Sequence, residues 1–140
     1  MALHILKLAV GIENIGHLRD VQARRLAENG DLRHVTRFMP RRAEQVLEGG
    51  SLYWVVRNII RVRQRLLDLK LVTENESGGT KCAFILDPEL ILTIPVRRRP
   101  HQGWRYFEAD SVPPDLGTSL QEYADMPPEM MADLRALGLI

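Results

Sequence analysis

Arginine offers most of the chemistry in this sequence: of the 19 basic residues, 16 are Arg and 3 are Lys. A guanidinium group forms planar, bidentate contacts with phosphate or carboxylate and also stacks on aromatic rings. Arginines beside an aromatic platform could therefore hold a nucleic acid or another polyanion. The candidate binding residues are Arg37, Arg41, Arg42, Arg61, Arg63, Arg65, Arg97, Arg98, Arg99, Gln102, Trp104 and Arg105.

The aromatic residues near these arginines allow two interpretations. Tyr53, Trp54, Trp104 and Tyr106 could stack on the bases of a single-stranded nucleic acid. They could equally pack in the core and bond their polar atoms internally. The arginines have a similar alternative, because they could face solvent or form ion pairs within the chain.

Two smaller features bear on the same question. Arg41 and Arg42 follow Pro40, which predicts the start of a helix, and helix N-termini attract anions. These two arginines therefore either meet an anion there or face water. Gln64 and Gln102 could each read a base edge or cap a loop.

The sequence predicts no catalytic residue, no metal ion and no cofactor. It contains neither a phosphate-binding loop nor a dinucleotide-binding glycine motif. Ser51 follows two glycines but lacks the context of a nucleophile elbow, and the single Cys82 excludes an internal disulfide and a cysteine-rich zinc site. The four histidines are scattered without metal-binding spacing: His4, His17, His34 and His101.

Length, composition and charge predict one domain with an attached acidic segment. The 140 residues are 45% apolar, yet no apolar run approaches the roughly 20 residues of a membrane span. Residues 1–107 carry 18 basic and 11 acidic side chains, for a formal charge of +7, whereas residues 108–140 carry 1 basic and 7 acidic, for −6. We therefore expect a core domain over 1–107 and an acidic segment over 108–140 packed on it. The N-terminus does not resemble a signal peptide, and we expect a cytoplasmic protein.

Hydrophobic periodicity and turn residues place these side chains on a series of short elements. Asn14 and Gly30 are typical of the start and end of a helix. The predicted elements are strands over 3–10, 32–39, 52–56, 60–66, 81–86, 90–94 and 104–107, and helices over 15–28, from Pro40 to about 48 and over 128–137.

The arginine-rich stretch over 49–71 is central to this prediction. Its first half is aromatic and β-branched, which favours a strand, and Arg57-Asn58 could form a turn. Beyond the turn, alternation would place Ile60, Val62 and Leu66 on one face and Arg61, Arg63 and Arg65 on the other. One helix over 59–71 is the alternative. With strands, the fold class is α+β: a curved mixed or antiparallel sheet with two to three peripheral helices.

Four segments also carry a resemblance to a known family. In chain order they are HVTRFMPRR (34–42), GGSLYWV (49–55), RQ (63–64) and RPHQGWRY (99–106). They resemble the signature of DUF1489, a bacterial and chiefly alphaproteobacterial family of unknown function. This resemblance implies no activity, cofactor or catalytic residue. The order of elements is also similar to the pseudo-barrel of PUA-like domains, which commonly bind RNA or modified bases.

These features together predict a non-catalytic module that binds a phosphate-bearing partner, RNA before DNA. Two alternatives stay open at this point. The first is a protein–protein interaction module, such as a homodimer formed through an exposed sheet face. The second is an enzyme that acts on a small anionic substrate.

Overall fold

A computed structural model describes residues 2–73 and 80–119 of the chain. Within these residues lie two helices and eight strands. In chain order they are β1 (Leu3–Leu8), α1 (Ile15–Asn29), β2 (Leu32–Thr36), α2 (Ala43–Leu47), β3 (Ser51–Val56), β4 (Ile59–Thr73), β5 (Thr80–Leu86), β6 (Ile91–Arg97), β7 (Trp104–Glu108) and β8 (Asp115–Ser119). The predicted helix over 128–137 lies outside the described residues.

The strands form one open mixed sheet, which confirms the predicted α+β class. The main path runs β2-β5-β4-β3-β1-β7, while β6 pairs with β4 and β8 pairs with β6. Strands β1 and β3 are parallel, and every other described pair is antiparallel. The strand interpretation of 59–71 is confirmed, because β4 extends over 15 residues.

Strand β4 connects the two halves of the sheet. Its first half pairs with β3 on one side and β6 on the other, and its second half pairs with β5. The register shifts between Leu66 and Asp68, where pairing passes to β5. Such a bulge bends a strand and increases its twist.

The sheet buries apolar side chains on both faces. In β3, Leu52, Trp54 and Val56 belong to a large core cluster that also includes Leu18 of α1. The alternate residues Tyr53 and Val55 belong to a smaller cluster on the other face, with Leu6, Ile60 and Phe107. Tyr53 and Trp54 are therefore core residues, not stacking platforms.

Local signals set the ends of α1 as predicted. The Asn14 side chain accepts a hydrogen bond from the His17 backbone N–H at 2.8 Å, which satisfies a free donor of the first turn. At the other end Gly30 adopts a φ of 78°, and its N–H donates to the Leu26 carbonyl at 2.9 Å.

Gly50 fixes the entry into β3. A Cβ atom at this position would overlap the carbonyl oxygens of Val46 and Leu3. Only glycine therefore allows α2 and β1 to approach the start of β3 this closely.

Several predicted boundaries and one predicted face were wrong. The strand predicted over 3–10 ends at Leu8, and the one predicted over 60–66 extends to Thr73. The strand predicted over 32–39 ends at Thr36, and β6 continues through Pro95 to Arg97 because Pro95 lies in an irregular stretch of the β4–β6 pairing. Ile60 does not share a face with Val62. Val55 of β3 pairs with Ile60 and Trp54 pairs with Val62, so Arg61 is an extra residue between these two pairs. This one-residue bulge reverses the alternation.

Candidate anion-binding surface

Five arginines surround two adjoining depressions, which we call the arginine hollow: Arg57, Arg97, Arg98, Arg99 and Arg105. The depressions measure about 510 and 400 Å³ and share the segment from Arg97 to Pro100. Four of the five arginines were predicted as candidates from the sequence, and Arg57 was not among them. The hollow is therefore a concave surface to which arginine contributes more lining residues than any other residue type.

The β3–β4 hairpin turn and the connection after β6 build the hollow together. Arg57 and Asn58 form the turn, with φ values of 51° and 67°, the geometry of a type I′ turn. The Asn58 carbonyl accepts a hydrogen bond from the Arg98 N–H at 2.8 Å. The Arg98 guanidinium also lies 5.9 Å from the centroid of the Phe107 ring, a cation–π contact that holds it near β7.

The arginines of the hollow differ from Arg63 in their partners. Within the described residues, none of the five forms an ion pair. Arg63 instead makes a two-pronged contact with Asp115, with both N–O distances 2.8 Å, and donates to the Ser51 hydroxyl at 2.9 Å. This contact raises the pKa of Arg63 and lowers the pKa of Asp115. Arg63 is thus neutralised by the chain itself.

An aromatic groove of about 480 Å³ lies beside β7 and holds Phe38, Met39, Arg41, Arg42, Trp104 and Tyr106. The Trp104 indole N–H donates to the Phe38 carbonyl at 3.1 Å, and the Arg42 backbone N–H donates to the Tyr106 hydroxyl at 3.0 Å. The two β7 rings stand edge to face with centroids 5.1 Å apart. Phe38 keeps 67% of its surface exposed, so an apolar ring is available at the rim of the groove.

The helix predicted to begin at Pro40 begins at Ala43, so the expectation about Arg41 and Arg42 rested on a wrong helix start. Helix α2 covers only the five residues Ala43–Leu47, and Arg42 is its N-cap without a side-chain capping bond. The Arg42 guanidinium instead donates to Gln45 at 3.0 Å, lies 3.7 Å from the Glu108 carboxylate and stacks over Tyr106. Pro40 precedes the helix and does not open it, and the Arg42 side chain is already engaged within the chain.

The candidate residues do not form one continuous surface. Successive side chains of a strand point to opposite faces, so Trp104 faces the groove while Arg105 faces the hollow. Arg61 occupies the β4 bulge and is half-buried. Arg37, Arg65 and Gln102 are exposed and line neither the hollow nor the groove.

Gln64 has a structural role that the sequence did not distinguish from that of Gln102. Its side chain is fully buried and makes four hydrogen bonds. Its oxygen accepts from the Gln22 amide at 2.7 Å and the Trp54 indole N–H at 2.8 Å, and its nitrogen donates to Gln22 at 2.8 Å and the Asp87 carbonyl at 3.0 Å. We call these contacts the Gln64 network; they join α1, β3, β4 and the β5–β6 connection, and leave Gln64 no free group for a base.

Arg57 and Phe38 were not among the candidate binding residues selected from the sequence. A signal for Arg57 was present, because Arg is an unusual occupant of a turn position that requires positive φ. Phe38 offered no such signal, since its exposure depends on β2 ending at Thr36, two residues before it.

A comparison with models of known protein families identifies the family of this chain. The model of the family described as "Protein of unknown function (DUF1489)" matches residues 5–140. The chain belongs to the DUF1489 family. No curated protein and no solved structure matches it, so the PUA-like resemblance stays a prediction.

Two further observations on the described residues concern metal binding and membrane crossing. These residues contain no group of three or more His, Cys, Asp or Glu placed to hold a metal ion. Neither described helix combines the length and the apolar character needed to cross a membrane.

Proposed function

We propose that this DUF1489 protein is a non-catalytic module that binds a phosphate-bearing polyanion, RNA before DNA, through the arginine hollow. The observation that carries the proposal is the set of five guanidiniums around one concave surface without an ion pair to a described residue. Like charges that line one concave surface repel each other. A bound polyanion would relieve that repulsion and release counterions.

The aromatic groove supports single-stranded RNA as the ligand class. Strand β7 ends the main path of the sheet, and its alternating side chains reach the hollow on one face and the groove on the other. A single strand passing over this edge would place phosphates near Arg105 and an unstacked base against Phe38 or Trp104. Stacking on aromatic side chains is how proteins hold splayed bases.

Gel retardation of a mixed single-stranded RNA at low salt tests the proposal. We expect Arg97→Gln with Arg99→Gln to weaken binding about tenfold, because two phosphate contacts are lost. The matched control is Arg19→Gln with Arg24→Gln, which removes the same charge from the exposed surface of α1. Equal binding by the two double variants, or no retardation of the unaltered protein, would refute the assignment of the hollow.

The alternatives from the sequence stay predictions. They are a homodimer or other protein–protein module formed through an exposed sheet face, and an enzyme acting on a small anionic substrate. Sedimentation of the protein during an RNA titration separates the first from RNA binding, since a homodimer forms without nucleic acid.

A further inference from the structure

The arginine hollow contains a histidine as well as its five arginines. His101 lines the smaller of the two depressions, together with Arg105 and the segment from Arg97 to Pro100. No described carboxylate lines either depression. Arginine keeps its charge throughout the physiological pH range, whereas histidine gains or loses its charge close to neutral pH. Among the described residues of the hollow, His101 is therefore the one that can change the charge of the site.

The backbone of β1 holds the His101 ring in place. The Nε2 atom lies 3.3 Å from the Leu6 carbonyl oxygen, which accepts a hydrogen bond when this nitrogen carries a proton. A neutral imidazole carries a proton on one of its two nitrogens, whereas an imidazolium donates from both. The Leu6 carbonyl therefore meets a donor in the imidazolium whatever the tautomer of the neutral ring.

The surroundings of the ring oppose its protonation in the free protein. Burial lowers the pKa of His101 most, and the positive charges of Arg105 and Arg98 lower it further. Backbone contacts with Leu6 and Arg99 act in the other direction and favour the charged ring. These groups belong to β1, the connection after β6 and β7. Two of the arginines that a ligand of the hollow would meet are thus among the groups that keep His101 neutral.

We propose that His101 takes up a proton from solvent when a polyanion binds to the arginine hollow, so that the hollow binds the polyanion more tightly as the pH falls. This inference rests on the proposed function of the hollow. Phosphates beside Arg98 and Arg105 would compensate the two charges that oppose protonation of the ring. The imidazolium would then add one positive charge to the site.

The sign of the pH dependence follows from linkage. A ligand that favours the protonated ring is itself bound more tightly when the ring is protonated. Bound phosphates raise the pKa of His101 above its value in the free protein. Affinity therefore rises as the pH falls through the pKa of the bound state, and it levels off below the lower pKa of the free state.

NMR titration of the His101 ring in the full chain tests the electrostatic step without RNA. Arg105→Gln should raise the pKa of His101, because it removes a cation that disfavours the charged ring. Arg24→Gln is the matched control, since it removes the same charge from the exposed surface of α1 and should leave this pKa unchanged. Equal pKa values in the unaltered protein and in Arg105→Gln would overturn the inference.

Binding of an oligouridine at two pH values tests the linkage itself, because uracil bases stay neutral at both. We expect the unaltered protein to bind about fivefold more tightly at about pH 5 than at about pH 7.5. His101→Gln should lose most of this difference. His17→Gln should keep it, because His17 lies on α1 and lines neither depression.

The outcomes separate this inference from the proposed function. The same pH dependence in His101→Gln and in the unaltered protein would overturn the inference and leave RNA binding by the hollow intact. No binding of oligouridine at either pH would refute both. A rise in the His101 pKa on addition of oligouridine, measured by NMR, would confirm that the proton goes to this ring.

Discussion

The Gln64 network and the arginine hollow are two polar regions that the same strands support, and they differ in how their polar groups are satisfied. Gln64 is buried and makes all four of its hydrogen bonds within the chain. The five arginines of the hollow form no ion pair with a described residue. Arg63 is intermediate, because it is basic like the hollow but is paired with Asp115.

This difference separates residues that stabilise the fold from residues available to a partner. A buried polar group that is fully bonded specifies the packing around it and loses stability when one member is removed. A solvent-exposed cation without a partner contributes little to stability. Variants in the two regions should therefore affect different measurements.

The largest expected effect is on stability, in the Gln64 network. We expect Gln64→Leu to lower the free energy of unfolding by about 3 kcal/mol, because the Trp54 indole N–H and the Gln22 amide lose their buried partner. Urea denaturation measures this change. Gln102→Leu is the control, since Gln102 is exposed and should shift stability by less than about 0.5 kcal/mol. Equal losses in the two variants would contradict the structural role of Gln64.

A smaller effect is expected where Arg63 is neutralised by Asp115. Asp115→Asn should cost about 1 kcal/mol of stability, as expected for a partly exposed, two-pronged ion pair. The lowered pKa of Asp115 means that its contribution is present above the ordinary value of 3.8 and is lost as the pH falls through the lowered value. The stability of the two proteins should therefore converge in acid, which denaturation at several pH values measures.

Asp115→Asn should also change the affinity for RNA. It leaves Arg63 without its carboxylate, so RNA affinity should rise, by about threefold for one added phosphate contact. Asp110→Asn is the control for charge alone, because the Asp110 side chain bonds only the neighbouring Ser111 among the described contacts. An equal rise in both variants would show that net charge, not Arg63, is responsible.

The smallest expected effect concerns Arg57 and has opposite signs in the two measurements. Arg57 adopts a φ of 51° in the β3–β4 turn, where Asn is favoured over Arg. Arg57→Asn should therefore raise the free energy of unfolding by about 0.5 kcal/mol while weakening RNA binding about threefold. Arg57→Lys keeps the charge and the backbone requirement, so both quantities should stay near those of the unaltered protein. A loss of stability in Arg57→Asn would show that the positive φ at position 57 does not strain arginine.

Local features of the fold could be predicted from the sequence, and long-range ones could not. Asn14 begins α1 and Gly30 ends it through contacts with residues three or four positions away. The local sequence alone therefore located both ends of the helix. The face of Ile60 was wrong because the bulge at Arg61 arises from pairing with β3, which periodicity within β4 does not encode. Strand β8 was missed for the same reason, since its pairing with β6 defines it.

The candidate site shows the same division. Arginine content predicted a basic surface, but which arginines share it depends on partners far apart in the chain. Arg63 meets Asp115 across 52 positions, and Arg98 meets the turn at Asn58. Gln64 and Gln102 are chemically identical, and only burial separates them.

The salt dependence of RNA binding tests the central claim most directly. The logarithm of the binding constant falls with the logarithm of salt concentration, with a slope of about −0.7 for each phosphate neutralised on a single strand. Arg97→Gln with Arg99→Gln should therefore make the slope shallower by about 1.4, whereas Arg19→Gln with Arg24→Gln should leave it unchanged. A slope that is the same in both double variants and in the unaltered protein would contradict phosphate binding by the arginine hollow.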